Sequence, residues 1–434
     1  MNQAYIVLGL FAVIIVILVK EWLPIGVVGL GIPFFLVLFK ICSASTAMGY
    51  FISETAVLIP CVYVMGEALQ EVGVADKLGQ AVLAGADRFS KGGKDRTEVA
   101  IFVMILLGSG VASFLLPRYG VTGAFMAVMV AVARKTKISR TKLMLILALA
   151  ANIWGNNTLV ATPPNMLANG VLETAGARTF GFFEFGLIGI PIAIAGSITL
   201  ILMRRHIPAN IDEEEVAKTE QQMENAGTGR IVPRWRVIAT IVVFILFYVL
   251  IMVKDDIGIP ATVSGPLCVA VILGMNVMTE KHAHRIVGWD VAIFCAGMQA
   301  FGKAIEVSGA GELIASGITS VIGSNPSPFL ITFVLFITAA FMTQFMSNTG
   351  AAALLFPIGL SLALQINADP RAVVMAVTMG CGASFMTPMA TTSNTMVVGV
   401  GGIRFRDFVT TGIPLMIVTA LVCTIGIPLI WPFY

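Results

Sequence analysis

Apolar stretches of about 20 residues recur along the chain at about 4–19, 24–40, 50–67, 142–170, 183–203, 236–253, 258–278, 288–304, 371–400 and 408–431. A helix rises about 1.5 Å per residue, so a stretch of that length spans the ~30 Å hydrocarbon core of a bilayer. The pattern predicts ten crossings. Two further regions, 98–134 and 327–364, are each long enough for two helices, with a polar interruption in the middle. The interruptions read Pro117-Arg118-Tyr119-Gly120 and Ser347-Asn348-Thr349-Gly350. Each region could be two full spans or a re-entrant hairpin.

The basic residues arbitrate, because Lys and Arg collect on the cytoplasmic side. With both regions re-entrant and the N-terminus outside, 21 basic residues fall inside and five outside (Lys40, Arg178, Lys254, Lys303 and Arg371), with Arg118 left at a hairpin tip. This split predicts that both termini are outside and that the polar segment 206–235, with its acidic run Asp212–Glu215, is a cytoplasmic linker. The first apolar run, Tyr5–Val19, lacks a basic leader and is followed by Lys20-Glu21-Trp22. It therefore reads as a retained helix and not as a cleaved signal.

The halves echo one another. Ala68–Asp76 pairs with Ala304–Glu312, Ala161-Thr-Pro-Pro-Asn165 with Ala390-Thr-Thr-Ser-Asn394, and Glu184-Phe185…Gly189-Ile-Pro191 with Asp407-Phe408…Gly412-Ile-Pro414. Five crossings plus a hairpin is an odd number of passes, so the second copy enters upside down. The expected fold is an all-α polytopic membrane protein of two inverted-topology repeats. Each repeat has five transmembrane helices, one re-entrant hairpin and helices broken near the midplane. Polar backbone at that depth is tolerated only against protein or a wet cavity. The site is therefore expected at the tips near 117–120 and 347–350 and the breaks near 155–165 and 384–395.

Composition agrees and adds exclusions. The 434 residues are 57% hydrophobic and 12% charged, with a net charge of +3, and the mean hydropathy is +0.93. An ordinary soluble enzyme, a disordered chain and nucleic-acid binding are excluded on these grounds. Cys42, Cys61, Cys268, Cys295, Cys381 and Cys423 lie in apolar runs without metal-binding spacing and read as small buried hydrophobes. The three histidines suggest no cluster, with His282 and His284 in a short polar loop.

Thr343-Gln-Phe-Met-Ser-Asn-Thr-Gly350 puts hydroxyls and an amide at a turn. Freed carbonyls with the Asn348 and Thr343 oxygens suit a hard cation such as Na⁺, and the N-terminus of the returning helix suits an anion. Gly382–Thr395 is the paired break, and Trp154–Asn165 is its first-half mate. Scattered Ser, Thr and Asn in membrane helices usually serve packing, but two dense clusters at repeat-related positions point to a site. Spacing sets Pro117-Arg118-Tyr119 where Ser347-Asn348-Thr349 stands. An intramembrane Arg usually faces a functional cavity; its guanidinium could stand in for one Na⁺ and its fork could hold a carboxylate, while the other reading is that Arg118 snorkels to the surface.

The Ser-Asn-Thr tip at 347–349, the Thr-Pro-Pro-Asn break at 162–165 and its Thr-Thr-Ser-Asn mate at 391–394 resemble those of the divalent anion–sodium symporters. So do Glu21-Trp-Leu-Pro24 and Glu67-Ala-Leu…Gly73-Val-Ala-Asp76. The resemblance covers nearly the whole chain. It implies a plasma-membrane homodimer with a fixed scaffold, an elevator-like transport domain and Na⁺-coupled uptake of dicarboxylates, citrate or sulfate. On that pattern residues 1–205 form the first repeat: scaffold helices in 1–97, hairpin and transport elements in 98–175, and a helix at 183–203. Residues 236–434 form the second, divided at 236–326, 327–402 and 408–431. Ser347, Asn348, Thr349, Thr391, Thr392, Thr162 and Pro163 would contact substrate, with Arg118 beside them. Thr343, Asn348 and Ala390 would frame one Na⁺ site, and Ala161 would belong to a first-half Na⁺ site. The first tip departs from the family pattern, which usually repeats Ser-Asn-Thr there. A cation or metalloid transporter of the same superfamily, a Na⁺/H⁺ antiporter or an arsenite permease, remains the alternative. Against it, no acidic residue stands at the broken helices as a proton carrier. A membrane enzyme is disfavoured because the chain shows no catalytic dyad, metal cluster or nucleotide loop.

Overall fold

The protein is described by a computed structural model that covers residues 3–20, 22–74, 94–114, 116–136, 138–209, 232–322 and 327–434. The acidic run 212–215 and most of the 206–235 linker lie outside the described residues, as do Asp76, Lys77, Arg88 and Lys91.

Among the described residues the fold is entirely helical. The first half contains α1 (Gln3–Lys20), α2 (Ile25–Leu38), the short α3 (Ala44–Gly49), α4 (Glu54–Glu71), α5 (Lys94–Ser113), α6 (Arg118–Thr136), α7 (Arg140–Trp154), α8 (Pro163–Thr174) and α9 (Gly186–Leu202). The second contains α10 (Arg234–Met252), α11 (Ala261–Gly274), α12 (Glu280–Ile286), α13 (Trp289–Ser308), α14 (Ala310–Ile322), α15 (Pro328–Met342), α16 (Asn348–Gln365), α17 (Pro370–Gly382), α18 (Thr392–Gly401) and α19 (Phe405–Ile430). Seven helical segments among the described residues have the length and apolarity to cross a membrane. Shorter apolar helices accompany them at Ile25–Leu38, Gly186–Leu202, Ala261–Gly274 and Pro328–Met342. Outward faces stay apolar: Phe34, Leu187, Ile238, Leu267, Phe341 and Leu421 are exposed. Water would penalise such a surface, whereas lipid does not.

Packing repeats with the element order. α2 packs on α13 as α11 packs on α4, α5 on α7 as α15 on α17, α6 on α18 as α16 on α8, and α1 on α13 as α10 on α4. The helices α4 and α13 meet each other, as do α9 and α19.

The helices α7 and α17 are apolar on all sides and buried throughout most of their length. With 15 and 13 residues they extend only about 20–23 Å. A buried helix that short ends inside the membrane. Each is followed by non-helical chain, 155–162 and 383–391, and then by a second short helix. The candidate hairpins α5–α6 and α15–α16 turn beside these breaks. The loop expected around His282 and His284 is instead the short helix α12, because Thr279 caps it by accepting from His282 N–H. That turn brings His282 Nε2 within 3.4 Å of Glu67 and 3.6 Å of Glu71, a cluster the sequence spacing of more than 200 residues concealed.

Candidate functional site

Four helices begin at one place. Arg118 starts α6, Pro163 starts α8, Asn348 starts α16 and Thr392 starts α18. All four residues line a cavity of about 320 Å³. Thr162 and Thr391 cap the short helices in the same extended conformation, φ −147° and −146°. Thr391 accepts from Asn394 N–H, and Ser347 caps α16 by accepting from Gly350 N–H. Pro163 and Pro164 occupy the first turn of α8, where a missing N–H costs nothing. The N-termini of α6, α16 and α18 present N–H groups and partial positive charge, and α8, which opens on two prolines, adds its dipole, so the cavity is pre-built for negative charge.

The breaks are held by matching bonds. Asn165 Nδ2 donates to Thr158 O at 2.8 Å, and Asn394 Nδ2 donates to Thr387 O at 2.9 Å. Asn394 also accepts from Asn152 of α7, which ties the second break to the first-half helix. These asparagines are fully buried. Buried amides persist where their hydrogen bonds are made, so they fix the strand-like stretches against the helix ends.

The second tip gathers oxygens. Asn348 Oδ1 accepts from Thr343 Oγ1 at 2.6 Å and from Ser384 Oγ at 2.9 Å, and Thr343 also reaches Cys381 O at 3.1 Å. Gln344 clamps the same break, donating to Ala383 O and accepting from Met386 N–H. An amide oxygen, two hydroxyls and a helix-terminal carbonyl form a hard, all-oxygen donor set of the kind alkali and alkaline-earth cations take.

The structure brings Arg118, Ala161, Thr162, Pro163, Ser347, Asn348, Thr349, Ala390, Thr391 and Thr392 to one cavity wall. Thr343 lies behind that wall, fully buried, bonded to Asn348. The helices α4 and α13 contribute Val62, Tyr63 and Val291, with Tyr63 stacked on Tyr119 at 5.9 Å. Arg118 is the one charged residue among those lining the cavity. It neither snorkels nor points its fork into the cavity. The side chain is buried, and its guanidinium donates to Gly155 O, Gly382 O and Asn156 Oδ1. Asn152, Asn156, Gln344 and Ser384 were not singled out from sequence. Their signal was present: each lies within or beside a tip or break motif, as an amide or hydroxyl in an apolar run.

Repeat mates differ in cover. Met389 is 62% exposed, while its first-half mate Val160 is 3% exposed. The helix α8 packs on both α4 and α13, and α18 has no comparable packing on either among the described residues.

The chain is a many-helix membrane bundle whose discontinuous helices meet at a cavity with no carboxylate among its described lining residues. The chain belongs to the citrate transporter family, whose pattern matches residues 14–380 and again 248–434. It is 31% identical to the uncharacterized transporter YfbS of Escherichia coli over 44% of this chain and 30% of that one. It is 24% identical to the sodium-dependent dicarboxylate transporter SdcS of Staphylococcus saprophyticus over 63% of this chain and 56% of that one. The match thus spans about a third to just over half the length of these relatives. The fold resembles the YdaH transporter of Alcanivorax borkumensis, with a TM-score of 0.60, 14% identity and 89% of each chain covered. The expected kinship with sodium-linked anion carriers holds at the level of family, and the chain is that of a multi-pass membrane protein.

Proposed function

We propose that this chain carries small divalent organic anions, dicarboxylate- or citrate-like, by Na⁺-coupled symport. One observation carries the reading: four helix N-termini and a set of hydroxyls surround a cavity with no carboxylate among its described lining residues. Ser347, Thr349, Thr391, Thr392 and Thr162 bind the carboxylates through hydrogen bonds, with Pro163 packed beside them at the start of α8. The oxygen cluster of Thr343, Asn348, Ser384 and Cys381 O, with Ala390 beside it, takes Na⁺. Bound Na⁺ stiffens the tip and offsets the negative charge of the anion, which makes the two bindings cooperative.

In this reading α1, α2, α4, α10, α11 and α13 are a scaffold, and α5–α9 with α15–α19 form the moving domain of an elevator in a homodimer of the plasma membrane. The halves are inverted repeats with both termini outside. The exposure of Met389 and the loose side of α18 then correspond to a cavity open to the cytoplasm. Uptake of labelled succinate, malonate, citrate and sulfate into proteoliposomes, with Na⁺ or with K⁺ in its place, is the test. Succinate or citrate uptake raised by Na⁺ is expected. Absence of uptake of all four anions alongside Na⁺/H⁺ exchange or arsenite flux would move the protein to the antiporter or metalloid branch.

A further inference from the structure

The two tips differ most at one pair of positions. Arg118 and Asn348 each open a returning helix. Asn348 offers an oxygen to a small cation, but Arg118 brings a cation of its own. Its Nε donates to Gly155 O at 3.3 Å, its Nη1 to Gly382 O at 3.4 Å and its Nη2 to Asn156 Oδ1. Gly155 follows the last residue of α7, and Gly382 is the last residue of α17. The guanidinium therefore lies across the C-termini of both broken helices, one from each half, where carbonyls concentrate partial negative charge.

The slot is shaped for this group. A Cβ on Gly155 would stand 2.5 Å from Arg118 Cγ and 2.7 Å from Nε, and a Cβ on Gly382 would run into the Asn156 amide. Among the described residues no carboxylate is a hydrogen-bond partner of Arg118. A buried charge without an acid must be carried by dipoles, and two helix ends supply them. The first-half counterpart of Thr343 is Ser113, whose hydroxyl is buried and has no partner. The first tip thus lacks an amide where the second has Asn348, and the oxygens gathered there, Gly155 O, Gly382 O and Asn156 Oδ1, already accept from the guanidinium.

We propose that the Arg118 guanidinium is a resident cation standing in for a first-half coupling ion, so that only the second half takes up Na⁺. This rests on the reading of the second tip as a Na⁺ site. Since the guanidinium never leaves its charge behind, its contribution is permanent, and part of the anion affinity persists without Na⁺.

The test is Na⁺ titration of labelled succinate and citrate uptake by the full-length protein in proteoliposomes. The Hill coefficient cannot exceed the number of coupled sites, so about 1 is expected for the wild type and for Arg118→Lys, rising toward about 2 in Pro117→Ser/Arg118→Asn/Tyr119→Thr. A wild-type coefficient near two overturns the proposal. So does a coefficient that stays at one in the triple variant when size-exclusion shows it folded. If the triple variant does not fold, the wild-type coefficient decides. If wild-type uptake ignores Na⁺ altogether, the second-tip reading fails on its own. The Arg118 proposal then stands or falls on whether the triple variant acquires Na⁺ stimulation.

Discussion

Asn348→Ala separates ion binding from folding. Asn348 Oδ1 receives two hydroxyl donors, from Thr343 and Ser384. Both donors have a second acceptor in Cys381 O, at 3.1 Å and 3.3 Å, so neither is orphaned when the amide is removed. The folding cost is therefore near the net value of an ordinary hydrogen bond, about 1 kcal/mol. The bound Na⁺ has no such reserve. Losing an uncharged ligand from a buried charged group costs about 1.5–3 kcal/mol, which is roughly a 10- to 150-fold loss of Na⁺ affinity. Uptake measured against Na⁺ concentration in proteoliposomes should show the half-saturating Na⁺ shifted by that factor, while the detergent melting temperature changes little. An unshifted half-saturation with normal folding would remove Asn348 from the ion site. A collapsed melting temperature would show that the amide is structural.

Other outcomes follow from the same geometry. Gly382→Ala should drive Asn156 from its place and lower the melting temperature, while substitution of the solvent-open Gly176 to Asn, which its φ of +65° tolerates, should not; equal melting of the two would refute the tight slot. Met389→Cys should react with a membrane-impermeant thiol reagent from the cytoplasmic side, whereas Val160→Cys should stay protected until substrate or Na⁺ shifts the population; equal labelling from both sides would refute the asymmetry of cover. Beside Trp431, burial alone would raise the Glu184 carboxyl. Hydrogen bonds from Gly181 N–H and Trp431 Nε1 and the Arg371 guanidinium outweigh it and hold the pKa below the ordinary 4.5. A depressed folded-state pKa stabilises above the unfolded value and loses that contribution as pH falls through the folded value. The melting-temperature gap between wild type and Glu184→Gln should therefore be full at neutral pH and close below pH 4.5; a gap independent of pH would refute the assignment.

The hydropathy pattern determined the membrane class, the count of apolar segments and the places where they break. Those features are local: a run of about 20 apolar residues can be satisfied only in lipid or a large core, and Thr162-Pro163-Pro164 or Ser347-Asn348-Thr349 stops a helix by its own chemistry. Polar interruptions in long apolar regions marked both tips, and the likeness of Ala161–Asn165 to Ala390–Asn394 paired the two breaks. The sequence could not say where a long side chain goes. The residue pattern left Arg118 as a stand-in for Na⁺, a carboxylate ligand or a snorkelling cation, and only the convergence of α7 and α17 offers it three oxygen acceptors 37, 38 and 264 residues away. The same limit hid the approach of His282 to Glu67, which are 215 residues apart. The unequal cover of Met389 and Val160 was also invisible, since two near-identical motifs differ there only in what the rest of the molecule packs against them. Local chemistry fixes where a helix must end; which helix ends meet, and which charge lies between them, is settled by packing between segments far apart in the chain.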